Sequence, residues 1–173
     1  MAARVLDLQG AADGGAVRGE LPRADPAAQA VAVAGLEADL LPQGRVGRLG
    51  TADASGQPLV VPICYAFDGE SLFSAIDAKP KTPGPRGLKR IRNLRENPKV
   101  SVVIDRYDED WTKLRYVIIQ GRVELLTEGG DFSRGVDLLL AKYPQYRDMG
   151  LNRDSGMMIK VKPDRVTQWQ YSN

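Results

Sequence analysis

The sequence of 173 residues contains no histidine and a single cysteine, Cys64. Without histidine the protein cannot form a Ser-His-Asp triad, and it has no imidazole base and no histidine ligand for zinc or haem iron. With one cysteine it can form neither an internal disulfide nor a cysteine zinc cluster. If the protein is an enzyme, we therefore expect a bound cofactor to supply the difficult chemistry.

Long apolar runs and a strong charge imbalance are also missing. No run approaches the ~20 residues that a membrane-spanning helix needs. Residues 1–15 carry acidic residues and glycines where a signal peptide has a basic lead and an apolar core. The net charge of +2 is too small to indicate nucleic acid by itself. We therefore expect a cytoplasmic protein without a membrane partner.

The chain divides into an arm and one domain. Residues 1–24 lack clear periodicity, which predicts a mobile arm, and residues 25–173 form the single domain. Asp25-Pro26 predicts the start of a helix that ends before Pro42. Strands are predicted over residues 44–51, 59–67, 71–77, 99–106 and 114–126, with two more between 155 and 171 that break near Pro163. Further helices are predicted over 86–97 and around 132–140.

The order of these elements predicts the fold class. About seven strands follow one another as hairpins, such as the one turning at Asp68-Gly69-Glu70, and no long βαβ crossover is visible. We therefore predict a mostly β protein with short helices, built as an antiparallel barrel.

Positive charge is concentrated in one segment. Residues 78–95 contain seven basic residues and no acidic one: Lys79, Lys81, Arg86, Lys89, Arg90, Arg92 and Arg95. The N-terminal N–H groups of a helix with nearby lysine and arginine side chains form a phosphate site. A solvated basic face and nonspecific nucleic-acid binding remain alternatives. The segment lacks the aromatic residues on which single-stranded bases stack, which counts against nucleic acid.

Two motifs resemble a known family. The stretch from Ser74 to Lys81, followed by the stretch from Lys89 to Ser101 with its Asn-Pro-Lys-Val-Ser ending, resembles the cofactor-binding signature of the pyridoxamine 5'-phosphate oxidase-like superfamily, the FMN-binding split barrels. The hairpin over 50–62 and the stretch 163–169 also match, so the resemblance covers residues 40–169. Within the superfamily, Asp77 to Lys81 and Tyr107 to Trp111 most resemble the branch of probable coenzyme F420-dependent proteins.

The resemblance implies a split β-barrel homodimer that holds two FMN or coenzyme F420 molecules between protomers. Carried over by position, several residues would contact the cofactor. Its phosphate would be bound by Lys79, Lys89 and Arg90, with Lys81 and Arg86 nearby; its ring would lie on Val61, Pro62 and Ile63; and Ser74 and Ala75 would offer backbone or hydroxyl contacts. Trp111 is a candidate to cover the ring, and packing in the dimer interface is an equal alternative for it.

The predicted function is hydride transfer between the flavin or deazaflavin and a small organic substrate. Pyridoxamine-phosphate oxidase itself uses an arginine–histidine pair for its substrate, so that activity is not expected without histidine. A carrier or sequestering protein for the same cofactor is the first alternative, and a nucleic-acid-binding barrel the second. We assign no catalytic residue and no metal site, interpret Cys64 as a small core residue, and expect Trp169 to pack at the barrel end.

Overall fold

The computed structural model describes residues 36–76 and 87–171. The predicted arm, the start of the first helix and the loop that carries Lys79, Lys81 and Arg86 lie outside the described residues. Within the described ranges no helix is both long and apolar enough to cross a bilayer.

Seven strands and four α-helices make up the described structure. The helices are α1 (Leu36–Gln43), α2 (Lys89–Glu96), α3 (Gly130–Lys142) and α4 (Gln145–Asp148). The strands are β1 (Gly47–Ala52), β2 (Pro58–Ile63), β3 (Ala66–Phe67), β4 (Leu72–Ile76), β5 (Lys99–Arg106), β6 (Arg115–Leu126) and β7 (Met157–Gln170), with a short 3-10 helix at Trp111–Lys113 before β6. The predicted bounds of β5 are reproduced.

All seven strands form one antiparallel sheet in the order β2-β1-β5-β6-β7-β4-β3. The sheet curls, so that side chains from β2 at one edge and from β4 near the other edge share one apolar cluster. The prediction of a mostly β, antiparallel split barrel is confirmed. Local hairpins join β1 to β2, β3 to β4, and β5 to β6, while the pairs β1–β5 and β4–β7 join strands far apart in sequence.

The prediction of a single strand over residues 59–67 is wrong. It is two strands, β2 and β3, at opposite edges of the sheet. Tyr65 lies at the break with its ring fully buried and its hydroxyl donating to Leu41 O at 2.8 Å. The backbone N–H and C=O of Tyr65 bind the hydroxyl of Tyr143, at 3.2 and 2.8 Å, in place of a neighbouring strand. A buried side chain and a distant hydroxyl thus divide the strand.

The break predicted near Pro163 is also absent, because β7 is continuous from Met157 to Gln170. The pairing with β6 skips Asp164: Gln120 lies opposite Arg165, and Gly121 lies opposite Pro163. This bulge accommodates the extra residue without ending the ladder. A Cβ at Gly121 would lie 2.2 Å from Lys162 O, so the close approach of the strands requires glycine.

Two apolar clusters form the core. The larger lies inside the curl of the sheet beneath α2, whose Ile91 and Leu94 are buried in it with Leu88 partly buried at its margin, as the helical stripe predicts. The second lies between α3 and the other side of β4 and β7, around Phe73 and Phe132. Helix α3 therefore covers one part of the convex side of the sheet.

The rest of that convex side is open, and we call it the outer face. Directly paired residues of an antiparallel ladder point to the same side. The register aligns Pro62 with Arg48, Arg48 with Val103, and Val103 with Ile118, and none of these four is fully buried. Their sequence neighbours on the opposite side, Ile63, Leu49, Val102 and Ile119, are all buried. The outer face thus consists of the outward residues of β2, β1, β5, β6 and the C-terminal half of β7.

Candidate functional site

The N-terminal end of α2 lies against the turn between β1 and β2. Lys89 Nζ lies 2.6 Å from Asp53 Oδ2 in that turn. The Lys89 ammonium, followed by the Ser55 hydroxyl, holds the pKa of the Asp53 carboxyl well below its ordinary value. Asp53 also accepts the N–H groups of Ser55 and Gln57, so one carboxylate organises the turn and positions Lys89.

This helix end is electropositive. Leu88 in the N-cap position supplies no side-chain acceptor, and the first turn contains no acidic residue. The N-terminal dipole and the side chains of Lys89 and Arg90 therefore add to one another and favour an anion. Lys89 is shared with Asp53, so a bound phosphate would lie between the helix and the turn.

A buried polar contact beneath this end was not predicted. Asn93 Nδ2 donates to Thr51 Oγ1 at 3.1 Å, and both side chains are buried between α2 and β1. Within the described residues Asn93 Oδ1 has no hydrogen-bond partner. Its sequence signal is an asparagine on the apolar stripe of a helix, where a polar residue needs a partner. The pair fixes α2 on the sheet and thereby the position of Lys89.

The structure divides the predicted ring-contacting residues between two sides of the sheet. Pro62 points to the outer face, whereas Val61 and Ile63 point to the core, with Ile63 buried in it. Ser74 is 2% exposed and Ala75 9% exposed, and Ala75 packs against the α3 cluster. Any contact from Ala75 would therefore come from its backbone.

The aromatic residues lie at the opposite end of the outer face from the β1–β2 turn. Trp111 is 65% exposed at the start of its 3-10 helix. Tyr116 and Trp169 are stacked with ring centroids 5.5 Å apart, and Trp169 remains 43% exposed on the sheet surface. Tyr107 and Tyr171 are exposed as well, so several large aromatic side chains at this end contact water, a feature typical of binding surfaces.

A pocket of about 490 Å³ opens where β1 begins and β2 ends. The residues around it come from three parts of the chain: Arg45, Val46, Cys64, Tyr143, Gln145, Tyr146 and Met149. Cys64 is half-buried in its wall and packs against the apolar cluster under α3, in agreement with its interpretation as a small core residue, although one side of it faces the pocket. The other lining residues carry no motif, and the sequence analysis did not identify any of them as site residues.

The fold and the arrangement of these residues agree with one family of proteins. Residues 37–170 match the family described as pyridoxamine 5'-phosphate oxidase, and the chain therefore belongs to this family. The predicted membership of the pyridoxamine 5'-phosphate oxidase-like superfamily is confirmed.

Three relatives illustrate the family's range. The chain is 28% identical over 124 residues to a 5a,11a-dehydrotetracycline/5a,11a-dehydrooxytetracycline reductase of Streptomyces rimosus, covering 71% of this chain and 72% of the relative. A FAD-binding protein of Mesorhizobium loti is 26% identical with a TM-score of 0.58, covering 76% of this chain and 87% of that one. A conserved hypothetical protein of Mycobacterium tuberculosis is 25% identical with a TM-score of 0.59, covering 77% and 81%.

Proposed function

We propose that the protein binds a flavin-type cofactor, FMN or coenzyme F420, and transfers a hydride between it and a small organic substrate. The observation that carries the proposal is the electropositive end of α2 beside an exposed apolar sheet surface, in a chain of this family. The Streptomyces relative, a 5a,11a-dehydrotetracycline/5a,11a-dehydrooxytetracycline reductase, supports a reductase. The FAD-binding relative supports a flavin-type cofactor.

The distance between the N-terminal end of α2 and the outer face along β2 suits a flavin-type cofactor. The phosphate would bind at Lys89 and Arg90, and the ring would lie on the outer face along β2. A strand rises about 3.3 Å per residue, so Pro62 lies about 13 Å along β2 from Pro58 at the turn. When bound, the cofactor supplies the hydride chemistry. The protein would hold the phosphate, orient the ring and exclude water.

We also propose that a second copy of the chain covers the outer face. Val60, Tyr107, Trp111, Trp169 and Tyr171 are each at least 42% exposed, and a concentration of large exposed apolar side chains typically marks an interaction surface. A twofold interface would place each protomer's Trp111 and Trp169 against its partner and enclose the cofactor. Light scattering on purified protein tests this: a dimer is expected at micromolar concentration, and a monomer would contradict the proposed interface.

The first experiment titrates the full chain with FMN and with coenzyme F420 and follows quenching of cofactor fluorescence. We expect submicromolar binding of one of them. A dissociation constant above about 100 μM for both, worth about −5.5 kcal/mol, would refute the proposed cofactor site.

The matched variants separate a phosphate site from general charge. Lys89→Ala with Arg90→Ala should weaken cofactor binding at least tenfold, because two cations at the helix end are lost. Arg92→Ala with Arg95→Ala removes the same charge from exposed positions on the same helix, and should change affinity less than threefold. Equal effects of the two double variants would contradict a site at the helix end. Urea unfolding of both variants checks that α2 remains folded.

Two further assays separate the alternatives that share these residues. Steady-state reduction of a substrate panel with the bound cofactor distinguishes an oxidoreductase from a carrier, which would bind the cofactor without turnover. A nucleic-acid-binding barrel would instead lose affinity for duplex DNA steeply with added salt, with a logarithmic slope near −0.9 per neutralised phosphate.

A further inference from the structure

The pocket at the end of β2 lies where the outer face meets the end of α3 and α4. Val46 directly precedes β1 and Cys64 directly follows β2, two residues from the outward Arg48 and Pro62, and both line the pocket. Two residues of extended chain span about 7 Å. The pocket therefore begins about 7 Å from Pro62, where the proposed ring surface ends, and its far wall is the corner between α3 and α4.

Arg45 is the one cation among the residues that line this pocket, and its printed contacts are to neutral groups. The half-buried Lys142 adds a second positive charge next to the pocket, with its ammonium 5.7 Å from the centroid of the Tyr143 ring. Arg45 Nη1 donates to Lys142 O at the end of α3, and its guanidinium lies 5.4 Å from the centroid of the Tyr143 ring. The guanidinium has five N–H donors, and this contact uses one nitrogen. Among the described residues no carboxylate forms an ion pair with Arg45, whereas Arg48, Arg106, Arg122, Arg134 and Arg153 each have one.

The remaining wall is mainly apolar and aromatic. Tyr143, Tyr146 and Met149 contribute flat or flexible apolar surface, and Gln145 is a neutral polar group. A phosphate dianion is normally bound by several charged or backbone donors together. One arginine on an apolar wall instead matches a single negative charge attached to a flat apolar body.

We infer that this pocket is the substrate pocket, and that it selects apolar, preferably aromatic molecules with one acidic group, a carboxylate or an enolate, which Arg45 binds. The role as substrate pocket rests on the proposed function, while binding of the acid to the pocket does not. Arg45 is thereby a specificity residue: it orients the molecule with its acidic end away from the ring surface and its apolar body toward Pro62.

The single cysteine provides the assay. Because Cys64 lines the pocket and is the only thiol in the chain, the rate of its alkylation by iodoacetamide reports occupancy of this pocket alone. The probes are 2-naphthoate, the neutral 2-naphthamide and the dianionic 2-naphthyl phosphate. We expect saturating naphthoate to slow the alkylation of Cys64 at least fivefold. The naphthoate concentration that gives half of this protection should be at least tenfold lower than the corresponding concentration of either other probe.

The variants assign the effect to Arg45. Arg45→Gln should raise the half-protecting naphthoate concentration at least tenfold, since a charge-assisted contact is lost. Arg153→Gln removes an exposed arginine that binds Asp137 elsewhere on the surface, and should leave protection unchanged. The comparison of naphthoate with naphthamide in the unaltered protein keeps the test independent of whether Arg45→Gln folds.

Each outcome has a definite reading. Absence of protection, equal protection by acid and amide, or stronger protection by the phosphate would overturn the inference. If a cofactor binds but naphthoate does not protect Cys64, the inference about the pocket is wrong and the proposed function stands. Protection without binding of either cofactor would remove the proposed function and leave an acid-binding pocket.

Discussion

Removal of the Tyr143 hydroxyl is the clearest test of why the chain breaks between β2 and β3. The hydroxyl accepts the Tyr65 N–H at 3.2 Å and lies within donor distance of two carbonyls, Tyr65 O at 2.8 Å and Arg45 O at 2.9 Å. Tyr143→Phe keeps the ring and its edge-on contact with Tyr146 but removes the hydroxyl. A buried backbone N–H is then left without a partner, which costs about 1–3 kcal/mol.

We therefore expect Tyr143→Phe to lower the free energy of unfolding by about 2 kcal/mol, because one donated and one accepted bond are lost in a buried place. For a chain of this size that corresponds to a fall in Tm of about 4–8 °C. Urea unfolding followed by tryptophan fluorescence and a thermal scan measure both values. Tyr107→Phe, at a site 66% exposed, is the matched control and should change neither.

An unfolding free energy of Tyr143→Phe equal to that of Tyr107→Phe would refute the reasoning. It would mean that water or an adjacent strand pairs the Tyr65 backbone once the hydroxyl is removed. The break between β2 and β3 would then not depend on Tyr143.

Two other predictions concern close packing and pH. Gly121→Ala should lower the free energy of unfolding by about 3 kcal/mol in urea unfolding, because its Cβ would lie 2.2 Å from Lys162 O; Gly130→Ala, with open space around it, is the control and should be neutral or slightly stabilising. Burial, and then the charge of Arg45, lower the pKa of Lys142 from 10.5 to about 8. Between these values the unfolded chain binds more protons, so stability should rise with pH, by less than about 1.4 kcal/mol per unit. Lys142→Met should make that rise shallower between pH 8 and 9.5; an unchanged slope would contradict the shift.

Local patterns predicted the elements whose character depends on neighbouring residues. The alternation over residues 99–106 gave the correct strand because one side of β5 is buried and the other faces outward along its length. Leu88, Ile91 and Leu94 recur at helical spacing, and all three pack against the core, Ile91 and Leu94 from α2 and Leu88 from its N-cap position. The basic character of the same helix identified its N-terminal end as the anion-binding candidate.

The same patterns failed where contacts between residues far apart in the sequence determine the bounds of a strand. A β-branched and aromatic run such as 59–67 has the composition of one strand, and nothing in it marks Tyr65 as a break. The break exists because Tyr65 binds Tyr143, 78 residues away. Likewise Pro163 indicated an interruption, but the bulge opposite Gly121 allows β7 to continue.

By itself the sequence narrowed the chemistry: without histidine and with one cysteine, we expect any redox step to depend on a bound group. It also determined a mostly β antiparallel fold, because strand alternation and hairpin turns are local properties. Only the tertiary structure decided which strands share an edge, which residues face the outer surface, and where the pocket lies. Arg45 and Tyr143 meet across 98 residues, and a contact of that separation leaves no periodic signal in the sequence.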